Sequence, residues 1–254
     1  MNIIRNALRP GYASVMINKV ALRWRERGHA RERGKIRDWC VVHAKPVEEW
    51  AMELDSKLWI ESCEFTKSQE IYARAKLAGL DFELGGGGAS HLLYFLTRLL
   101  KPEVIIETGV AAGFSSRAFL CALSANGSGR LLSSDFPYFR AARPERFVGY
   151  LVEERMRDNW TLLLKGDRTN LTKLTSSAGK IDLFHYDSDK SYAGREFAYE
   201  QIAPCLGGNA VVVFDDIEDN WHFRDFVRGK SFRVIEYEGR WVGLTGGPEK
   251  FYAD

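Results

Sequence analysis

Two apolar stretches of this sequence end on paired acids. IDLFHYDSDKSY (181–192) runs from a strand-like alternation into Asp187 and Asp189, and VVVFDDIED (211–219) runs into Asp215 and Asp216. A carboxylate is strongly disfavoured in an apolar interior unless it is paired, hydrogen-bonded or bound to a metal. Acids at the ends of core strands therefore mark a crevice in which a ligand or ion supplies the compensation. Three carboxylates converging from two strand ends suit a hard divalent cation, with water and substrate oxygens completing an octahedron. No His or Cys spacing points to zinc.

A second constellation lies upstream. VIIETGVAAGFSSRAFL (104–120) reads as a strand, a tight glycine turn and a helix. Gly109 permits the sharp turn after the strand, and Gly113 permits a close approach to a ligand or a neighbouring helix. Ser115 or Ser116 can cap the helix that follows. The spacing is GxxxG, neither a dinucleotide fingerprint nor a P-loop. Glu107 would repel a pyrophosphate and welcome an ammonium group. The next strand, in LLSSDFP, ends on Asp135, placed to accept from ribose hydroxyls. In this order the residues point to an adenosyl ligand with a cationic amino-acid tail.

At these residues the chain from about 85 to 245 resembles the class I S-adenosylmethionine-dependent methyltransferases, in particular the metal-dependent O-methyltransferases of the catechol and sugar type. ETGVAAGFSS resembles their first motif, SSDFP their ribose-binding acid, KGDRTN the turn flanking adenine, and YDSDKSYAG with VVVFDDI their metal-binding pair. The resemblance implies Glu107, Gly109 and Ser115 near the methionine part, Asp135 on the ribose and Asp167 near adenine, with Gly113 also counted among the cofactor-binding residues. It also implies Mg2+ on Asp187, Asp215 and Asp216. The Asp-Asp pair is similar to the sugar enzymes, whereas the catechol enzymes carry Asp-Asn. Asp189, two residues after the first metal ligand, matches their general base; its competing role is the N-cap of a helix starting near Ser191. Lys190 departs from the histidine that relatives often carry. It fits a grip on a substrate carboxylate, a base, or a solvated position.

These side chains need a scaffold that brings strand ends together. Strand-like runs at 104–108, 130–134, 161–166, 181–187 and 210–214 alternate with helical stretches at 115–125, 145–157, 170–177 and 192–206. Apolar strands separated by helices predict a parallel sheet covered on both faces. SFRVIEYEGRWVGLTGG (231–247) predicts an antiparallel hairpin turning at Glu238 and Gly239. The expected fold is thus α/β, a doubly wound, mostly parallel Rossmann-like sheet with a C-terminal antiparallel hairpin, preceded by N-terminal helices. Residues 1–84 read as a helical extension and 85–254 as the S-adenosylmethionine-binding catalytic domain. GGGG at 85–88 fits a linker or a lid.

Composition narrows the classes. Net charge is +2, yet residues 1–37 hold ten Lys or Arg against two Glu. That basic segment fits a helix packing Val20, Leu22 and Trp24 on a neighbour, a weak contact with anionic lipid, or a contact between copies in a homo-oligomer. No nucleic-acid motif is readable. No apolar run reaches the ~20 residues that span a bilayer, and four scattered cysteines suit a reducing, cytoplasmic setting. The expected activity is Mg2+-dependent methyl transfer to a hydroxyl of a vicinal diol on a small molecule or glycan, most readily a sugar. The rivals are a catechol or small phenol as acceptor, a metal-dependent hydroxylase of the same fold, and a non-enzymatic S-adenosylmethionine-binding scaffold.

Overall fold

Short runs of Val, Ile, Leu and Phe favour strands that are buried on both faces, and the central strands of this chain follow that rule. The computed structural model describes Tyr12, Val15 and residues 27–81, 83–85, 87–137 and 142–253. Val20, Leu22 and Trp24 lie outside the described residues. Strands β1 (Ala44–Pro46), β2 (Val104–Thr108), β3 (Arg130–Ser134), β4 (Trp160–Leu163), β5 (Ile181–Tyr186), β6 (Leu206–Phe214), β7 (Phe232–Tyr237) and β8 (Arg240–Gly246) form one sheet. Their order is β1-β7-β8-β6-β5-β2-β3-β4. All neighbours are parallel except β8, which is antiparallel to both β6 and β7. The hairpin turns where expected: Glu238 and Gly239 both take positive φ, 51° and 77°, as a primed two-residue turn requires.

The chain enters the sheet centre at β2, winds outward through β3 and β4, then returns to pair β5 against the other side of β2. Strand order reverses between β2 and β5. Ligands of open α/β sheets bind at the carboxyl ends of strands beside such a point.

Alternation along the strands divides the core into two layers. Ile105, Leu131, Leu183 and Val213 face α2 (Val47–Leu77), α3 (Ser90–Leu100) and α4 (Phe114–Asn126), where Trp50, Trp59, Phe95 and Phe119 pack. Ile106, Leu132, Phe184 and Phe214 face the other side. There they meet Ile36 and Cys40 of α1 (Arg27–His43), Leu171 of α5 (Asp167–Ala178), Ala198 of α6 (Tyr192–Ile202) and Phe223 of α7 (His222–Phe226). Each fully buried side chain of this size contributes about 1.5–3 kcal/mol.

Three elements differ from the sequence-based expectation. Residues 44–46 add β1 to the sheet edge beside β7, where Pro46 leaves no ladder bond unmade. The break in the long N-terminal helix falls at Asp55, whose backbone is extended and whose Oδ1 accepts the Leu58 N–H at 3.0 Å. The helix expected over 145–157 is instead two short 3-10 turns, Pro144–Phe147 and Glu154–Asn159. Gly149 interrupts it with a φ of 68°. A Cβ there would lie 2.2 Å from Trp160 Cη2, so the aromatic ring occupies the space any other side chain would need.

Candidate active site

Glu107, the penultimate residue of β2, is fully buried. Ser115 Oγ donates to Oε1 at 2.5 Å, while Ser116 and Ser133 Oγ donate to Oε2 at 2.6 and 2.7 Å. The serines expected to cap α4 therefore serve Glu107 instead, and Gly113 stands at the N-cap with no side-chain bond. Burial outweighs these hydrogen bonds and pushes the Glu107 pKa up to about 7, with the charge of Asp135 adding to the rise. Asp135 holds the turn itself: Oδ2 accepts from Val110 N–H at 3.1 Å and Ala111 N–H at 2.7 Å. The 149–151 segment braces the same turn, since Gly149 and Leu151 N–H donate to the carbonyls of Ala111 and Ala112, each at 2.9 Å. Asp167, first residue of α5, accepts from Ser134 Oγ at 2.6 Å and also from Ser188 Oγ. It thereby ties the end of β3 to the loop after β5.

Gly109 is where this crevice meets the acids. Its φ is 82°, and a Cβ on it would lie 2.0 Å from the Asp187 carbonyl oxygen. The turn after β2 and the loop after β5 thus share a wall that admits only glycine.

The acid cluster is built by β5, β6 and the head of α6. Asp187 is a quarter exposed and Asp216 a tenth. Burial and the neighbouring Asp215 raise the Asp187 pKa, and Lys190 and Arg195 oppose that rise. Lys190 Nζ lies 3.4 Å from Asp187 Oδ1 and contacts Asp216 Oδ2. Of the three roles open to it in the sequence, it takes a fourth, an ion pair inside the cluster. Arg240 Nη1 stands 3.9 Å from Asp216 Oδ1. A Cβ on Gly88 would meet Asp215 Oδ2 at 3.5 Å and Asp187 Oδ2 at 3.8 Å. Gly85 accepts from Ala112 N–H at 3.2 Å, so glycines of the 85–88 tract touch both halves of the site. Gly86 lies outside the described residues.

Asp189 does not cap α6. Ser191 does, accepting from Gly194 N–H at 3.0 Å, while Asp189 Oδ1 accepts from Ser191 N–H at 3.2 Å. His185 sits inside β5 against Phe119, with both ring nitrogens unpartnered and its pKa pushed down to about 4 by burial. His222 is enclosed by Phe214, Phe226 and Tyr192. Trp221 Nε1 donates to Glu32 at 2.9 Å, and Tyr192 Oη lies 3.4 Å from Asp225.

Arg195 went unnoticed in the sequence. It is 1% exposed, and its Nη2 donates to the carbonyls of Asp215 and Asp216 at 3.0 and 2.8 Å. Asp216 takes a φ of 48°, a strained conformation for a non-glycine residue, and this clamp holds it. An arginine inside an otherwise ordinary helical stretch carries no local signal of such a role.

The donor chemistry can be tested against the expected ligands. An acid at the end of β2, a glycine turn and an acid at the end of β3 fit an adenosyl amino acid, and the buried Thr108 Oγ1 beside them has no partner. The second set fits a divalent ion in kind, with Asp215 Oδ2 buried and unpartnered. It does not fit in arrangement. Asp187 and Asp215 turn one oxygen each towards Gly88, whereas Asp216 and the other Asp187 oxygen turn towards Lys190. Among the described residues, no three His, Cys, Asp or Glu side chains are placed to hold a metal ion.

Comparison with known proteins agrees with this geometry. Residues 106–217 match the profile of a family described as a methyltransferase domain. No curated protein matches the chain. Among solved structures, the chain is similar to the O-methyltransferase TomG from Streptomyces achromogenes, involved in tomaymycin synthesis and solved in complex with SAM. The TM-score is 0.55 at 17% identity, over 71% of this chain and 89% of TomG. It is also similar to an O-methyltransferase from Bacillus cereus in complex with SAH, with a TM-score of 0.53 at 13% identity over 82% and 99% of the two chains. No helix among the described residues is long and apolar enough to cross a membrane. The segment that carries the glycine turn and both acid pairs thus matches a methyltransferase domain, and the chain shares the Rossmann-like fold of these O-methyltransferase structures.

Proposed function

We infer that this chain is an S-adenosylmethionine-dependent O-methyltransferase acting on one hydroxyl of a vicinal diol, with a sugar as the acceptor class. The observation that carries the reading is the shared wall at Gly109 and Asp187. It sets the adenosyl crevice directly against a cluster of hydrogen-bond acceptors. Bound S-adenosylmethionine supplies a sulfonium methyl open to direct displacement. Glu107 and Ser115 face its methionine part, Gly109 and Gly113 shape the turn beneath it, Asp135 takes the ribose and Asp167 the adenine side.

On the acceptor side, the protein's task is alignment and removal of one proton. Asp187, Asp215 and Asp216 accept from neighbouring hydroxyls, and Asp189, steadied by Ser191, takes the proton of the reacting one. A sugar suits this lining better than a phenol does. The polar groups of the lining are carboxylates and the Lys190 ammonium, which match the several hydroxyls of a sugar. Residues 85–254 form the catalytic domain in this reading, and 1–84 an extension that supports it. Arg33 of α1 pairs with Asp219, three residues beyond the acid pair, at 2.5 Å.

Calorimetric titration of the full chain with S-adenosylhomocysteine is the first test. Stoichiometric binding in the micromolar range is expected, followed by transfer of labelled methyl to diol sugars in preference to catechols. Folded protein that binds no S-adenosylhomocysteine would sink the assignment; preferred transfer to catechols would move the acceptor to phenols.

A further inference from the structure

We propose that Lys190 supplies, from the chain itself, the cation that the acid cluster needs, so that the acceptor site is organised without a bound divalent ion. The placement of the acceptor at this cluster rests on the methyltransferase reading above; the identity of the cation does not.

The arrangement around the cluster carries the argument. Lys190 bridges Asp187 and Asp216 through Nζ, and Arg240 approaches Asp216 from β8. Arg195 closes the cluster from beneath through the two backbone carbonyls. Asp187 and Asp216 thus meet the Lys190 ammonium, Asp216 also faces Arg240, and the Arg195 guanidinium lies beneath the acid pair on its backbone carbonyls. A divalent ion entering there would displace the Lys190 ammonium and face the repulsion of both guanidinium groups.

Lys190 is also held where it is. Its carbonyl accepts from Asn220 Nδ2 at 2.7 Å, and the next residue is the Ser191 N-cap of α6. Its side chain remains 42% exposed. An ammonium has three N–H donors; with two engaged by Asp187 and Asp216, one is left for an acceptor. Lys190 is then a positioning residue for the carboxylates.

The test uses the full-length protein and Mn2+ alone, followed by calorimetry and by the electron paramagnetic resonance signal of the free ion. Wild-type protein is expected to bind no Mn2+ at this site below millimolar concentration. K190M, in which Asp187 and Asp216 lose their ammonium, should bind it at least tenfold more tightly, and K190R should behave as wild type. S-adenosylhomocysteine affinity, measured in parallel, reports on the methyltransferase reading separately. Its failure in wild type would overturn that reading and leave the cation assignment standing. Micromolar Mn2+ binding by wild type would overturn the proposal, and this result needs no variant that folds. Failure of folded K190M to gain Mn2+ would overturn it equally, because the lysine would then not be what fills the cluster.

Discussion

Glu107, Asp135 and Asp167 are held by serine hydroxyls and backbone N–H groups, whereas Asp187 and Asp216 are held by Lys190 and Arg240. The two sets sit on either side of one glycine. Neutral donors fix a carboxylate in place and leave its charge available, which suits the capture of a cationic ligand part. Cationic donors compensate the charge in advance, which suits acids that must accept from a neutral polyol. The first half is built for a ligand that brings its own positive charge, and the second for one that does not.

The comparison breaks most completely at the point where the halves touch. Gly109→Ala should cost about 4 kcal/mol, from ~1–2 for a left-handed conformation and ~1–3 for overpacking against the Asp187 carbonyl. Thermal denaturation would show the loss, and S-adenosylhomocysteine binding should go with it. Retained stability would mean that the shared wall is looser than the geometry shows.

Arg195→Met should cost about 3 kcal/mol, since two hydrogen bonds from a buried charge are lost at the acid pair. In contrast to the glycine variant, it should leave S-adenosylhomocysteine affinity intact. Equal loss of both would show that the halves are not independent.

Glu107→Gln acts on the other side. It should weaken S-adenosylhomocysteine binding by about 10–100-fold, the range of a charge-assisted hydrogen bond. Unchanged affinity in calorimetry would remove Glu107 from the ligand site.

The last test is the pH dependence that Glu107 brings to the neutral-donor half. Glu107 titrates at about 7 in the folded protein, against roughly 4.3 in an unfolded chain. The folded state holds this proton more tightly, so the contribution of Glu107 to stability is full below pH ~4.3 and declines as pH rises to about 7. The Tm difference between wild type and E107Q should therefore shift against wild type across that window. Parallel profiles would show that the carboxyl is not raised.

Much of this was readable in the sequence, for physical reasons that differ by region. β2 and β3 fall on the expected residues because Val-Ile-Ile and Leu-Leu runs bounded by breakers leave few alternatives. The acid pairs were visible because charge at the end of an apolar strand is costly anywhere else. β1 was not, because three residues, one of them proline, carry almost no strand preference of their own. Gly149 reads as a tolerable interruption of a helical pattern until Trp160 is seen over it. The contact of Lys190 with Asp216 was hidden for a similar reason: Asp216 follows the neighbouring strand β6, and no spacing along the chain announces a contact between separate strand ends.

Arg195 grips main-chain carbonyls and leaves the side chains of Asp215 and Asp216 alone. Frame and payload are thereby decoupled: the turn keeps its shape whatever residues are displayed on it. Exchanging those acids for amides or hydroxyls is then a change of chemistry on a fixed mount, which makes this corner of the molecule suited to redesign towards other acceptors.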